Sequence, residues 1–514
     1  MSVPIPHGHI TKKLHHSLII IFALGCMMVV LLLATVILVD YNITQTAAKS
    51  KQLATENLKI LLQAQQKFAL PEDTSYIPAT LDQSTLVTVV ARNQPSVIRI
   101  GAIYCADITL SSARAVANFA DNCSGRVGSG SFISSDGYIA SSGHVISVTP
   151  LRSLIDTLNE PEDINRYLGY LVASRLMSAR VASNIQTGIA NGNTDAQAAL
   201  DETIDLIPVG QIFAANPTTQ YAIQLSNQPI ELDQTTNRLT FNYTDTVIKA
   251  KLIDMDYDQT TSDLALSTGE FESSDVALLK ATGSFPYISL GTIDNIQAGD
   301  QLTAIGFPAL IDGVDADLTQ AVPSITQGKV KEIRFDSSQK VRKIIGTSVP
   351  IGQGNSGGPA LNNSGQQVGL NTYSIIECPN LHCYGDGQVR DIADLKALLV
   401  KNNVTLRTGG ITDDWTKALT SYTNGNYADA VTYLTKVQSA YPANYLVGPL
   451  LNVARQQVGT ATDTSTSYQA QGLVTIILII LSLSIVVITI ALIGLIIIFT
   501  GKYHREMRRQ EQSA

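Results

Sequence analysis

Short alternating runs of apolar and polar residues dominate the middle of the chain. VIRIGAI (97–103), GSGSFIS (128–134) and GYIASS (137–142) are strand-like, and glycine, serine and Asp-Gly turns separate them. Similar runs resume at 209–350 and again around 359–376. Many short strands joined by glycine-rich turns are typical of a β-barrel or β-sandwich. The pattern therefore predicts a mainly β fold.

Four other segments carry apolar residues at helical spacing. We interpret 150–206 as a helical insertion within the β region, 44–68 as a stalk and 389–403 as a helix that closes the domain. Residues 411–457 resemble one tetratricopeptide (TPR) helix pair. A small helical hairpin that caps the barrel explains this last pattern equally well.

Two long runs, 17–39 and 473–499, contain no charged residue. Each is long enough to cross a hydrocarbon core of about 30 Å as a helix. We therefore expect two transmembrane helices, with a cleaved signal peptide as the alternative for the first. Lysines before the first run and basic residues after the second predict cytoplasmic termini and an extracytoplasmic region between the spans. A charged fraction of only 15% agrees with this expectation.

These segments predict eight consecutive regions. They are a cytoplasmic tail (1–16), a transmembrane helix (17–39), a stalk and linker (40–83), a β domain (84–404, with the insertion at 150–206), a TPR-like hairpin (405–458), a linker (459–472), a second transmembrane helix (473–499) and a second cytoplasmic tail (500–514).

The net charge and the cysteine content argue against nucleic-acid binding and against a metal site. The net charge is −8 and no basic domain is visible, so nucleic acid is not expected as a partner. Four cysteines lie between the two apolar runs, and an even number outside the cell favours two disulfides. Of three connectivities the local one is simplest, Cys105 with Cys123 and Cys378 with Cys383. No C-x-x-C pair supports a metal site, and we expect none.

A serine flanked by glycines is the strongest candidate for chemistry. In GQGNSGGP (352–359), the glycines around Ser356 permit backbone conformations closed to other residues. The amides of Gly354 and Ser356, with Asn355 between them, can then converge into an oxyanion hole. A serine hydroxyl alone is a poor nucleophile, so it needs a histidine as base, and the histidine needs a carboxylate.

Histidines are scarce enough to limit the choice of base. Only His144 and His382 lie between the two apolar runs, and His144 follows a strand-like run. Asp263 and Asp275 each precede an apolar run, so composition does not choose between them as the carboxylate. The motif G-x-S-x-G also fits the nucleophile elbow of α/β-hydrolases. That fold places its histidine after the serine, where only His382 is found, so we do not favour it.

Three blocks together resemble a trypsin-like serine protease of the HtrA/Deg type, in the chymotrypsin-fold clan. GSGSFISSDGYIASSGHVI, SSDVALLK and GQGNSGGPALNNSGQQVGLNT are similar to its His, Asp and Ser blocks and occur in the same order. The resemblance covers about 85–400 and is interrupted by the insertion. It implies a chymotrypsin-like double β-barrel, and the spacing to the next turn favours Asp275 over Asp263. The implied roles are nucleophile for Ser356, general acid/base for His144 and orienting carboxylate for Asp275.

The resemblance also implies where substrate would bind. The segment after the nucleophile forms part of the primary pocket in this clan, and the candidates here are Ile351, Asn371, Thr372 and Tyr373. The family's usual C-terminal PDZ domain is replaced by the TPR-like hairpin.

We therefore expect a membrane-anchored extracytoplasmic serine endopeptidase, without metal or cofactor, in protein quality control or envelope processing. Its expected partners are polypeptide substrates, the lipid bilayer, further copies of the chain and a protein bound at the hairpin. The alternative is a latent or inactive protease-like scaffold that recruits envelope proteins through the insertion and the hairpin.

Overall fold

The computed structural model describes most of the chain. The described residues are 47–63, 84–233, 238–258, 273–307, 323–335, 341–352, 354–375, 386–460, 462–465 and 469–512, with scattered helical positions between 25 and 45. They divide into two compact units. One contains 1–54, 420–431 and 453–514, and the other contains 55–419 and 432–452.

Strands in the described part of the chain belong to the second unit. They are β1 (Val97–Ser111), β2 (Val116–Phe132), β3 (Tyr138–Ser141), β4 (Ile212–Gln224), β5 (Leu232–Asp233), β6 (Thr240–Phe241), β7 (Val247–Asp256), β8 (Val276–Ala281), β9 (Gln301–Gly306), β10 (Ser324–Phe335), β11 (Lys343–Pro350), β12 (Pro359–Leu361), β13 (Gln367–Ile375) and β14 (Asp386–Asp391).

Twelve of these strands form two closed antiparallel barrels. The first has the order β1-β2-β3-β8-β7-β4 and the second the order β10-β11-β14-β13-β12-β9. The short strands β5 and β6 pair separately. Two barrels of six strands are consistent with a chymotrypsin fold.

Both faces of β8 are buried, which explains why the sequence of this strand is a continuous apolar run. Ala277 and Leu279 face the core of the first barrel. Val276 and Leu278 face the opposite way and pack on a helix that follows the second barrel. A strand buried on both faces has no polar side to display, and this burial fixes the position of Asp275 at its start.

Helices account for the rest of the described architecture. They are α1 (Ser84–Asn93), α2 (Gly143–Ile146), α3 (Pro150–Thr157), α4 (Pro161–Ala173), α5 (Ala179–Ala190), α6 (Thr194–Glu202), α7 (Ile392–Lys401), α8 (Gly410–Thr423), α9 (Tyr427–Ala440), α10 (Val447–Gln457) and α11 (Gln469–Glu511). Residues 47–63 are also helical.

The insertion between β3 and β4 is helical and has its own apolar core. Thr149 caps α3 by accepting a hydrogen bond from the Arg152 amide, and Pro150 occupies the first turn. Leu154, Tyr167 and Leu171 pack together with residues of the long β1–β2 arm. The insertion therefore rests on the first barrel rather than standing apart from it.

Helix α7 and the helices after it differ in detail from the predicted segments. The helix expected at 389–403 begins at Ile392, because Asp386–Asp391 pairs with both β11 and β13 as strand β14. The 411–457 segment contains three helices, α8 to α10, rather than one pair. Within the second unit, Trp415 is buried and its Nε1 donates to the Ala91 carbonyl at 3.0 Å.

The smaller unit has a polar cluster of its own. The Ser50 hydroxyl donates to the Thr462 carbonyl at 2.6 Å. The rings of Tyr422 and Tyr427 meet edge to face at 5.7 Å. The Asp463 carboxylate accepts hydrogen bonds from backbone amides of Tyr427 and Gly459.

The prediction of a mainly β chain is wrong, because 44% of the structure is helical. The class was assigned from the strands of the barrel region, although helical segments were predicted elsewhere in the chain. The 43-residue α11 and the four insertion helices supply much of the difference.

In the described part of the chain, no helix is both long enough and apolar enough to cross a membrane. This finding overturns the expected transmembrane helices at 17–39 and 473–499 and the membrane localisation built on them. A crossing needs about 20 consecutive apolar residues.

One of the two expected disulfides lies within the described residues. Cys105 and Cys123 face each other across β1 and β2 and are joined as a disulfide. Cys378 and Cys383 lie outside the described residues, as do Asp263 and His382.

Candidate active site

His144 lies in a single helical turn directly after β3. Ser142 keeps an extended backbone, and the turn α2 begins at Gly143. Val145 and Ile146 are buried in the core of the first barrel, which anchors the turn from below. The His144 side chain points the other way and is 33% exposed.

Asp275 immediately precedes β8 and is held by contacts on both sides. Its backbone is left-handed (φ 54°), a conformation that aspartate tolerates better than most residues. The Asp256 carboxylate accepts the Ser274 amide at 3.1 Å and the Ser274 hydroxyl at 2.5 Å. These bonds fix the backbone from which the Asp275 side chain projects.

The Asp275 carboxylate receives three hydrogen bonds from the site. Oδ1 accepts the His144 amide at 2.9 Å, and Oδ2 lies 2.8 Å from His144 Nδ1. The Thr372 hydroxyl donates to the same Oδ2 at 2.5 Å. With Nδ1 bound to the carboxylate, Nε2 of His144 is the nitrogen available to accept a proton.

The electrostatics of the pair follow from this geometry. Burial alone would raise the pKa of Asp275, but the charge of His144 and the three hydrogen bonds outweigh it, and the pKa lies below its usual value. Burial would lower the pKa of His144, whereas the Asp275 charge and hydrogen bond raise it, and the net direction is upward. An imidazole held in this way is stabilised in its charged form.

Ser356 lies in the loop between β11 and β12. Gly354 (φ 91°) and Gly357 (φ 83°) both adopt left-handed backbones. A side chain at Gly357 would overlap the Ser129 carbonyl, so this position requires glycine. The Gly357 amide donates to the Asn371 carbonyl at 2.7 Å, which ties the loop to β13.

The backbone around Ser356 leaves two amides pointing away from internal partners. Asn355 donates its amide to the Gly352 carbonyl at 3.1 Å, and its own carbonyl accepts the Gly358 amide at 3.0 Å. Among the described residues, no acceptor bonds to the amides of Gly354 and Ser356. These are the two donors that the sequence pattern assigns to an oxyanion hole.

Thr372 joins the carboxylate to the serine. Its hydroxyl donates to Asp275, and its backbone carbonyl accepts the Ser356 hydroxyl at 2.8 Å. The structure thus brings Ser356, His144 and Asp275 to one place, with the serine hydroxyl bonded to Thr372 rather than to His144. Contacts of this kind often rearrange when substrate binds. The sequence pattern predicted a pocket role for Thr372 and carries no signal of its hydrogen bond to Asp275.

The other pocket candidates have different surroundings. Ile351 and Asn371 are buried, at 1% and 0% exposure. The Asn371 carbonyl accepts the Ser142 hydroxyl at 3.2 Å. The side chain of Tyr373 lies outside the described residues. Among the described residues, no cluster of three or more His, Cys, Asp and Glu side chains could hold a metal ion.

A charged cluster joins β2 to helix α3 of the insertion. Arg126 Nη2 lies 3.7 Å from Asp156 on α3, and Arg152 on the same helix lies 2.7 Å from the other oxygen of Asp156. Arg126 stands two residues before Gly128, which packs directly against Val145 of the histidine turn. The Arg126 charge opposes the upward shift in the His144 pKa, although the charge and hydrogen bond of Asp275 outweigh it.

Replacing Arg126 by glutamine is expected to raise the pKa of His144, because a nearby positive charge is removed. The neutral imidazole is the active base, so the acidic limb of the kcat/KM profile should move to higher pH. The measurement is kcat/KM for a labelled casein from pH 5 to 9. Arg166→Gln, which removes an exposed arginine paired with Glu162 and Asp163 on α4, is the control and should leave the limb in place. An unshifted limb in R126Q would contradict the assignment.

Replacing Thr372 by valine is expected to destabilise the fold by about 1–3 kcal/mol, because the buried Asp275 carboxylate loses a hydrogen bond. The folded-state pKa of Asp275 is lowered, so its contribution is present above the unfolded pKa and is lost as pH falls through the folded value. T372V raises that folded pKa, so less stability remains to be lost in acid. Urea unfolding at pH 7 and pH 3 measures both effects, because the loss begins only below the unfolded aspartate pKa of about 3.9.

Thr326→Val provides the matched control for this experiment. The Thr326 hydroxyl is buried and has no hydrogen-bond partner in the described part of the chain. Its removal should leave stability unchanged or raise it. Equal losses in T372V and T326V would show that the Thr372–Asp275 bond contributes nothing specific.

Similarity to known proteins agrees with this geometry. Residues 227–370 match a trypsin-like peptidase domain. The matched region contains Asp275 and Ser356, whereas His144 precedes it on the far side of the helical insertion. An insertion at this point separates the histidine block from the rest of the domain in the sequence, although the fold brings them together.

Several serine proteases are similar to shorter stretches of the chain. A probable periplasmic serine endoprotease DegP-like from Pseudomonas fluorescens is 40% identical over 101 residues, which is 19% of each chain. Serine protease HTRA1 from Xenopus laevis is 34% identical over 106 residues, 20% of this chain and 22% of the relative. Putative serine protease HhoA from Synechocystis is 36% identical over 107 residues, 20% of this chain and 26% of the relative.

The chain thus spans about a fifth to a quarter of the length of these curated relatives. Within that span, the similarity is to proteins named as serine proteases and as a DegP-like endoprotease.

Proposed function

We propose that this chain is a serine endopeptidase that cleaves polypeptides through Ser356, His144 and Asp275. The observation that supports the proposal is the shared hydrogen-bond system around Thr372. Its hydroxyl donates to the carboxylate that also bonds to His144, and its carbonyl accepts the Ser356 hydroxyl. The three side chains come from separate parts of the sequence, and their convergence supports acyl transfer better than a binding role.

The first half of the reaction forms an acyl-enzyme. The Ser356 hydroxyl turns from Thr372 to His144 and gives its proton to Nε2 as its oxygen bonds to the substrate carbonyl carbon. The carbonyl oxygen becomes an oxyanion and accepts hydrogen bonds from the amides of Gly354 and Ser356. When the intermediate collapses, the C–N bond breaks and His144 passes the proton to the leaving amine.

The second half returns the enzyme to its starting state. A water molecule gives a proton to His144 while its oxygen attacks the acyl carbon, and collapse releases the carboxylic acid as Ser356 recovers its proton. Asp275 remains ionised throughout, because it orients the imidazole and stabilises its charge rather than taking a proton. The chemistry needs no metal or cofactor.

Fluorophosphonate labelling of the full-length chain tests the proposal. An activated serine displaces fluoride from the reagent, and peptide mapping should place the adduct on Ser356. Ser356→Ala should not label, whereas Ser364→Ala, which changes a serine in the β12–β13 turn, should label as the wild type does. Labelling at several serines at similar rates would show that Ser356 is not activated.

A second hypothesis is a latent enzyme that a partner or substrate activates. The Ser356–Thr372 bond favours it, since the hydroxyl is not directed at His144 in this structure. The wild type would then label slowly alone and faster in the presence of unfolded casein. A labelling rate that casein does not change would count against latency.

A further inference from the structure

Ser129 on β2 makes a set of contacts that the triad does not explain. It is fully buried, with 0% exposure. Its hydroxyl donates to the Gly354 carbonyl at 2.7 Å and accepts the Phe307 amide at 2.7 Å. Its own amide donates to the Ser356 carbonyl at 2.9 Å. One residue of the first barrel therefore bonds twice to the nucleophile loop of the second.

The two bonded carbonyls lie on either side of a proposed oxyanion donor. The Gly354 carbonyl belongs to the peptide before Asn355, and the Ser356 carbonyl belongs to the peptide after Ser356. Between them lies the peptide that carries the Ser356 amide. Holding both neighbours restricts rotation of the central peptide, and with it the direction of that amide.

The direction of the Ser129 hydroxyl is itself determined. The Phe307 amide can only donate, so the hydroxyl accepts there and its single proton goes to the Gly354 carbonyl. Behind it, the Ser141 hydroxyl donates to the Ser129 carbonyl at 2.8 Å and fixes the backbone. The hydroxyl cannot donate to another acceptor unless the Gly354 carbonyl loses its hydrogen bond.

We propose that the Ser129 hydroxyl is a positioning residue for the oxyanion hole: by holding the Gly354 carbonyl, it keeps the amides of Gly354 and Ser356 aimed at the substrate oxygen. Ser129 does not touch the reacting atoms and acts through the loop. The inference rests on the proposed function and extends it by naming what organises the anion-binding amides before substrate arrives. Donors fixed in advance need no reorganisation during the reaction.

Ser129→Ala tests the role, with Ser131→Ala as the matched control. Ser131 lies two residues further along the same strand, is equally buried, and donates its hydroxyl to Gln367 of β13 at 2.8 Å. Both variants remove one buried hydroxyl from β2. S131A removes one hydrogen bond, to Gln367, whereas S129A removes two, to the Gly354 carbonyl and from the Phe307 amide. Only S129A removes a bond to the nucleophile loop.

Three measurements on the full-length chain separate positioning from general structure. In S129A, kcat for casein should fall roughly 10- to 100-fold with little change in KM, as expected for misaligned groups. The inhibition constant of a peptide boronate, which forms a tetrahedral adduct, should rise by the same factor. The pH at which the acidic limb of kcat/KM is centred should not move, because His144 and Asp275 are untouched.

Hydrogen exchange gives a readout that does not depend on activity. The peptide covering 354–358 should exchange faster in S129A and not in S131A. Equal kcat, boronate affinity and exchange in the two variants would overturn the proposal. A wild type that neither labels nor hydrolyses would overturn the proposed function instead, and the exchange comparison would still decide whether Ser129 orders the loop.

Discussion

Replacing Ser356 by alanine is expected to lower kcat for casein hydrolysis by about 10⁶-fold, and replacing His144 by alanine should cost nearly as much. Without the serine oxygen no acyl-enzyme forms, and without the imidazole the serine proton has no acceptor. The residual rate comes from substrate binding and from the amides of Gly354 and Ser356, which both variants retain.

The double variant provides the sharper test of this expectation. The two side chains act as one unit, so S356A/H144A should be no slower than either single variant. Progress curves with fluorescent casein measure all three rates. Additive losses, with the double variant slower by the product of the two factors, would show that Ser356 and His144 act independently and would contradict a shared mechanism.

Replacing Asp275 by asparagine is expected to lower kcat by roughly 10⁴-fold. Asparagine has nearly the same shape and tolerates the left-handed backbone at this position. It lacks the negative charge that raises the His144 pKa, and it cannot accept at both oxygen positions. The expected loss is therefore electrostatic and does not require unfolding, which a thermal melt checks.

Asp263→Asn is the matched control for the acid. It makes the same chemical change at the other aspartate that the sequence allowed as a candidate. D263N should keep wild-type kcat and the wild-type acidic limb. A large loss in D263N, with D275N active, would reverse the assignment of the carboxylate.

Much of the barrel region could be predicted because local patterns determine it. The runs around Ile139 and Leu278 alternate or are wholly apolar as their burial requires. The glycines around Ser356 reflect backbone angles that other residues rarely adopt. These signals lie within ten or so residues of each other, so they can be read without the fold. The roles of Ser356, His144 and Asp275 stay predictions, although the structure brings the three together.

The remaining features depend on distant partners. Nothing in GSGSFIS distinguishes Ser129 from Ser131, because the groups that accept their hydroxyl protons lie more than 200 residues away. In the sequence, Thr372 is one polar residue among others in a strand. Its role is apparent only in the fold, where it lies beside Asp275. The mainly β prediction failed for a different reason, because the class was assigned from the barrel region although helical segments were predicted elsewhere in the chain.

The division of the site between two barrels has a consequence during synthesis. His144 and Asp275 belong to the first barrel, which is complete once Ala281 has been made, whereas Ser356 and its loop belong to the second. In the proposed mechanism, a chain growing from its N-terminus therefore holds a base and an acid with no nucleophile. That mechanism makes cleavage chemically available only after β13 and the Ser129 contacts have formed, so it predicts that an incomplete chain does not attack itself or its neighbours.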